Sequence, residues 1–354
     1  MDHPVRQEVM QGMRQLVTVA PGVVELRVAP EPSVGPDEAL IAVEAVGICG
    51  SDVHLYLGDH PYSHFPNVQG HEFSGRVLSL PDDYSGPVSV GERVAVEPLL
   101  MCGTCLPCRR GRGNCCLRMR TYGTQIPGAL SERLAVKASL LFAADGLTSE
   151  LAALAEPMSI ALQAIARGRL DGTDSVVVYG AGPIGQAILI ASIDVGARVL
   201  VVDRLASRLE LARILGADRA VDSDAQDVRA EVAAWTADDG PTVVFEATGV
   251  PAVLEEAIDM VASSGTVVVV GLSRQKVAIP MVDFTRKELT VAGSRNNMGQ
   301  FGRAVELVRR RSDDVAKLVS HRFPLERAPE AFELAHNAPA KTEKVIIELG
   351  LPAE

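Results

Sequence analysis

From residue 14 to about 100 the chain is a series of short apolar runs broken by Pro and Gly. ALIAVEAV (39–46), FSGRVLSL (73–80) and ERVAVEP (92–98) are typical. Runs of this length, closely punctuated, predict a twisted, β-barrel-like domain. The texture changes from about residue 160. VVVY (176–179) leads into AILIASIDV, VLVVD (199–203) into the helix-like SRLELARILGA, and then come TVVFEA (242–247) and TVVVVGL (266–272). Fully apolar strands alternating with helical stretches predict a parallel sheet covered on both faces, hence an α/β fold. After about residue 297 the pattern returns to mixed polar segments, and no internal repeat or low-complexity tract interrupts it.

At 354 residues the chain is long enough for two domains and a large buried core. Its net charge is 34 − 45 = −11, which opposes non-specific binding to nucleic acid and to anionic membrane surfaces. One stretch imitates a membrane span: Ser175 to Ile193 carries no charge. Gly180, Gly182, Pro183 and Gly185 fall inside it, so it reads as strand, turn and helix. The first fifteen residues hold no apolar leader, which gives a cytoplasmic expectation; residues 1–12 read as a short extension.

Candidate chemistry concentrates in three places. The first is Cys102-x2-Cys105-x2-Cys108-x7-Cys116, in the segment CGTCLPCRRGRGNCC. Four thiolates so close can surround one Zn²⁺. A disulfide cluster is the alternative, disfavoured in a chain without a secretory leader. On spacing alone Cys115 is an ambiguous fifth member.

The second is a dispersed set. Cys49 sits between Gly47 and Gly50; His71 and Glu72 follow Gly70; Glu156 precedes Pro157 in an apolar run where an unpaired charge is costly. Cys, His and Glu suit an open zinc site, in which the metal lowers the pKa of a substrate hydroxyl.

The third is Gly180-x-Gly182-x-x-Gly185, which follows a strand and opens a helix with Pro183 and Ile184. That context is what a pyrophosphate-binding turn requires. Asp203 ends the next strand and is placed to accept ribose hydroxyls and repel a 2′-phosphate, favouring NAD over NADP. Arg204 and Arg208 leave a phosphate-binding alternative open. Thr248, Gly271 and Leu272, at the ends of later strands, are secondary cofactor candidates.

Taken in order, these segments resemble the zinc-dependent medium-chain alcohol and polyol dehydrogenases. GICGSDVH (47–54), GHEFSG (70–75), the cysteine segment, LAEPMSIAL (154–162), VVVYGAGPIG (176–185) and LVSHRFPLERAPEAFE (318–333) carry the likeness over about residues 13–349, the last of them being sorbitol dehydrogenase-like. The resemblance implies a GroES-like β-barrel catalytic domain, residues 1–160 and 297–354 with a structural zinc lobe at 99–117. It also implies a doubly wound Rossmann NAD-binding domain at 161–296. It selects Cys116 over Cys115 as the fourth structural ligand and makes Cys49 and His71 direct ligands of a catalytic zinc. Glu156 stands where classical alcohol dehydrogenases carry a Cys; whether it or Glu72 touches the metal stays open.

The resemblance further implies a proton relay through Ser51 and His54, with Asp52 orienting the metal ligands. It places Arg295 towards the substrate, where Asn296 and Asn297 add amide groups. The implied activity is transfer of a hydride from a secondary alcohol, namely a polyol, cyclitol or sugar acid, to NAD. A threonine-type amino-alcohol dehydrogenase and a non-catalytic NAD- or zinc-binding regulator are the alternatives. A homodimer or homotetramer is expected, with the apolar 266–272 strand near the edge where two sheets join.

Overall fold

The computed structural model describes residues 12–350, so the extension read at residues 1–12 falls, apart from Gly12, outside the described residues. Two sheets organise the chain. The first has the order Val319–Pro324, Lys344–Glu348, Glu38–Ile48, Glu72–Ser79, Arg93–Val96 and Leu141–Ala143, with Arg133–Lys137 also pairing with Glu38–Ile48. Its longest strand is shared. Glu38–Ala42 pairs with Arg133–Lys137, while Ala45–Ile48 pairs with Lys344–Glu348. The C-terminal strands thus join a sheet begun near residue 38.

The second sheet is parallel and six-stranded. Its order is Arg219–Asp222, Arg198–Asp203, Ser175–Tyr179, Val243–Glu246, Thr266–Val269 and Thr290–Gly293. Alternation along each strand fills both faces. Val176, Val178, Val199 and Val201 join the core that contains the Ala155–Gly168 helix, and Val177, Tyr179, Leu200 and Val202 face a second core. This explains why these strands read as unbroken apolar runs. The first core continues through Met158, Leu162 and Phe301 to Ala45 and Ile346 of the other sheet, so the two sheets share buried packing.

The apolar Thr266–Val269 strand lies near an edge, one place inside it; the edge itself is Thr290–Gly293, with Val291 exposed. The Ser175–Ile193 stretch is a strand, a turn and the helix Pro183–Val195. No helix among the described residues is long and apolar enough to cross a membrane.

Candidate active site

Strand register brings the dispersed donors together. Gly47 pairs with Glu72 across one edge of the Glu38–Ile48 strand, and Ile48 pairs with Val345 across the other. Cys49 and Lys344 are each one residue beyond that second pair, so the ends of three strands meet. Gly47 is required there, because a Cβ at that position would run into the Glu72 carboxylate. Gly70 has φ +96°, a left-handed conformation that turns the chain so that His71 and Glu72 enter the site.

Cys49, His71 and Glu72 each offer a donor atom, and these atoms lie within 4.8 Å of one another. His71 and Glu72 are buried and Cys49 is part-exposed, so the cluster opens on one side. Glu156 is buried at the first turn of the Ala155–Gly168 helix but is not a member of that cluster. Burial pushes its carboxyl up to about 7; His71 pulls against the rise and Glu72 adds to it.

The surroundings hold the donors in place. Cys49 caps the helix Gly50–Leu57, and its N–H donates to Asp52 Oδ2 at 3.0 Å. Asp52 Oδ1 lies 3.3 Å from His71 Nδ1, which turns Nε2 towards the cluster. A carboxylate behind an imidazole in this way fixes its tautomer and orientation. Gln69 donates through Nε2 to the Asp52 carbonyl at 2.7 Å and accepts through Oε1 from Thr18 Oγ1 at 2.5 Å. Ser51 Oγ is 3.4 Å from His71 Nε2. His54 lies at the solvent end, 61% exposed, with Nδ1 2.9 Å from Asp59.

Sequence reasoning missed Lys344. Its ammonium is ion-paired with Glu72 Oε1, and both groups are buried. Burial works to deprotonate it, but Glu72, Cys49 and Glu156 together outweigh that and hold it above its ordinary value. Glu72 Oε2 has no hydrogen-bond partner among the described residues and is the oxygen left over for a cation. The only signal in the sequence was a lysine opening the apolar strand KVIIE.

The cysteine lobe forms a second, separate cluster. Cys102, Cys105, Cys108 and Cys116 converge, and Cys115 is not among them. Sulfur separations are 3.4 Å (105–108), 3.8 Å (105–116) and 4.0 Å (102–108). A tetrahedron of zinc–sulfur bonds of about 2.3 Å puts its sulfurs about 3.8 Å apart, so the residues fit the ion. All six cysteines are free thiols. Without a cation the four cannot ionise alike. Amides of Thr104 and Cys105 pull Cys102 down to about 5, whereas desolvation pushes Cys108 up to about 12.

At the carboxyl end of the parallel sheet, Gly182 caps the helix that begins at Pro183 and Ile184. A Cβ on Gly185 would collide with the Gly180 carbonyl, so the turn closes only with glycine. Asp203 is held by three amides: Ala181 at 2.7 Å, Arg204 at 2.7 Å and Leu205 at 2.9 Å. The Arg204 side chain is exposed, while the Arg208 guanidinium lies against Gly182. The buried Glu246 carboxylate accepts from the amides of Thr248 (2.6 Å) and Gly249 (2.8 Å), fixing that loop. Its backbone carbonyl accepts from Gly271 at 2.9 Å, and Leu272 beyond it is exposed.

In the segment around Arg295 the two asparagines differ from their expected use. The Arg295 side chain is exposed and makes no hydrogen bond or ion pair with any described residue; its carbonyl accepts from Asn114 of the cysteine lobe at 2.9 Å. Asn297 is fully buried against Glu97, and Asn296 Nδ2 donates to Met119 Sδ at 3.1 Å. These two amides serve the seam with the lobe and are not presented to a substrate.

Two family models match the chain. "Alcohol dehydrogenase GroES-like domain" covers residues 35–146 and "Zinc-binding dehydrogenase" covers 183–310. A sorbitol dehydrogenase of Bos taurus is 35% identical over 330 residues, 90% of this chain and 91% of that protein. The crystal structure of an Escherichia coli CFT073 alcohol dehydrogenase complexed with NADH superposes with a TM-score of 0.88 at 30% identity, covering 95% of this chain and 99% of the other. That of a zinc-binding dehydrogenase from Sinorhizobium meliloti 1021 bound to NADP gives 0.89 at 30% identity, covering 96% and 99%.

Proposed function

This chain belongs to the zinc-dependent medium-chain alcohol and polyol dehydrogenase family, and on that premise we propose that it oxidises a hydroxyl-rich secondary alcohol with NAD. The observation that carries the reading is the convergence of Cys49, His71 and Glu72 beside Lys344, whose chain neighbour Glu343 reaches the nucleotide turn. A metal and a dinucleotide held at these positions would share one cleft. We assign residues 1–160 and 297–354 to the GroES-like catalytic domain and 161–296 to the Rossmann domain, the division falling inside the Ala155–Gly168 helix.

When bound, zinc would supply the Lewis acidity that eases loss of the substrate hydroxyl proton, and NAD would be the acceptor for a hydride from the carbon bearing that hydroxyl. The residues supply the rest. Cys49 and His71 hold the metal, with Glu72 Oε2 or Glu156 as the carboxylate donor. Asp52 fixes the His71 ring. Ser51 would accept the released proton while giving up its own hydroxyl hydrogen, and His54, at the solvent end beside Asp59, would return a proton to solvent. Arg295 offers an unpaired donor fork suited to vicinal hydroxyls or a carboxylate.

Cys102, Cys105, Cys108 and Cys116 hold a second, closed zinc. Metal analysis of protein prepared without chelator should give two zinc ions per chain; one or none contradicts the reading. Cys105→Ser should remove the closed site's zinc and lower Tm by ~5 °C or more, because the metal closes this lobe. A Cys105→Ser protein that keeps its Tm and both zinc ions refutes the assignment.

Selection of NAD rests on Asp203. Its carboxylate retains acceptor capacity beyond the three amides, and Asp203→Ala should weaken NAD binding by ~1–3 kcal/mol, read by titration. An unmutated enzyme with higher kcat/KM for NADP than for NAD contradicts this choice. We also expect a homodimer or homotetramer, which the part-exposed edge strand Thr290–Gly293 supports. A cytoplasmic setting suits six free thiols.

A further inference from the structure

Resting on the assignment of Asp203 and Arg208 to the adenosine ribose, we infer that Glu343 is a cofactor-selectivity residue that denies Arg208 to a 2′-phosphate. The starting point is a conflict between charges. An arginine beside a nucleotide turn is the usual means of accepting a 2′-phosphate, because its planar fork matches the phosphate oxygens. Arg208 is in that place: its guanidinium rests against Gly182, which caps the Pro183–Val195 helix. Asp203 is its neighbour at the end of the preceding strand, bonded to Ala181 at 2.7 Å. On position alone Arg208 would admit NADP.

Two of the three guanidinium nitrogens already face partners, Nη1 next to Gly182 being the one that faces none among the described residues. Glu343 Oε1 lies 3.3 Å from Arg208 Nε, and Arg208 Nη2 donates to the Pro339 carbonyl at 3.2 Å. Ser207 Oγ donates to the Ala340 carbonyl at 3.3 Å. Residues 339–343, from the other sheet's final connection, are therefore strapped along the first turn of the Ala206–Ile214 helix. Both members of the ion pair are largely shielded, with side-chain exposures of 20% and 14%, so solvent screens their attraction less than at an open surface. Glu343 Oε2 is buried without a hydrogen-bond partner among the described residues.

A 2′-phosphate that takes Arg208 away from Glu343 leaves that carboxylate buried and unpaired, which costs more than the loss of an exposed partner. If Glu343 stays, the phosphate meets two carboxylates, Glu343 and Asp203, and an arginine already neutralised. A ribose hydroxyl meets no such penalty; Glu343 Oε2 can accept from it. Selection against NADP thus comes from a residue 140 positions after Asp203 (343 − 203) as well as from Asp203 itself.

The test uses full-length, zinc-loaded protein and two probes that differ by one group, 5′-AMP and 2′,5′-ADP, titrated by calorimetry. Burial raises the Glu343 carboxyl to about 7, with Arg208 opposing the rise, so the titrations are run well above that value. Glu343→Gln should shift the affinity ratio about tenfold or more towards 2′,5′-ADP. The double variant Glu343→Gln/Arg208→Met should lose that gain. Glu343→Asp, one methylene shorter and still charged, should shift the ratio in the same direction by less, and serves if the glutamine variant does not fold.

A ratio unchanged within about twofold in either folded single variant overturns the inference, as does a gain that survives loss of Arg208. Wild-type preference for NADP would instead overturn the NAD reading. Wild-type preference for NAD with unresponsive Glu343 variants leaves that reading intact and sinks only this inference.

Discussion

Cys49→Ala should lower kcat/KM for the alcohol by ~10³-fold or more and reduce the zinc content from two ions to one. The size follows from the role. A Lewis acid at the reacting oxygen is worth several kcal/mol, and each 1.4 kcal/mol is about tenfold in rate. Cys49 is the cleaner choice among the donors. It is part-exposed at a helix N-cap, so truncation leaves no buried charge behind. His71→Ala should abolish activity to a similar degree but also strands the buried Asp52 carboxylate, and lost stability would cloud the result. Steady-state kinetics with metal analysis decides it. A folded Cys49→Ala protein that keeps two zinc ions, or more than about a tenth of its activity, would falsify the placement of the metal.

The second large effect is on stability. Lys344→Met is expected to destabilise the zinc-free protein by ~3–5 kcal/mol, because removing one member of a buried ion pair leaves the other buried and uncompensated. Glu72 is fully buried, and Lys344 is the cation bonded to it. Zinc should reduce the loss, since a Glu72 carboxylate oxygen lies among the metal donors. Lys344→Arg should recover part of it. Urea unfolding with and without zinc measures both terms. Equal losses in the two forms would mean that Glu72 has no interaction with the metal.

Much of this site was legible in the sequence because its chemistry is local. The cysteine spacing is a property of fifteen consecutive residues, and the structure converges the same four sulfurs. The nucleotide turn is local too: a glycine whose Cβ would strike the Gly180 carbonyl is forced by the backbone whatever the distant sequence says. Glu156 was conspicuous as a charge in an apolar run, but its distance from the metal donors depends on how the Ala155–Gly168 helix packs against the first sheet.

What was not legible depends on pairing between remote strands. Lys344 meets Glu72 from 272 positions away, through a register that a single sequence does not reveal. Glu343 meets Arg208 through the same strand. Asn296 and Asn297 misled for the opposite reason. Amides next to an arginine suggest a polar surface, yet Asn297 is buried against Glu97 and Asn296 faces Met119. That Thr290–Gly293 is the edge itself was not legible, because this strand is short and weakly apolar beside TVVVVGL.

The central claim is zinc- and NAD-dependent oxidation of a hydroxyl-rich secondary alcohol. It is tested most directly by NADH absorbance on incubating the zinc-loaded protein with NAD and a panel of polyols, cyclitols, sugar acids, threonine and simple alcohols. The account predicts NADH formation that is greatest with a polyol, cyclitol or sugar acid, is abolished by stripping the open-site metal, and returns with added zinc. Higher kcat/KM for threonine, ethanol or benzyl alcohol than for every polyol, cyclitol and sugar acid, or turnover that survives loss of that metal, would contradict it.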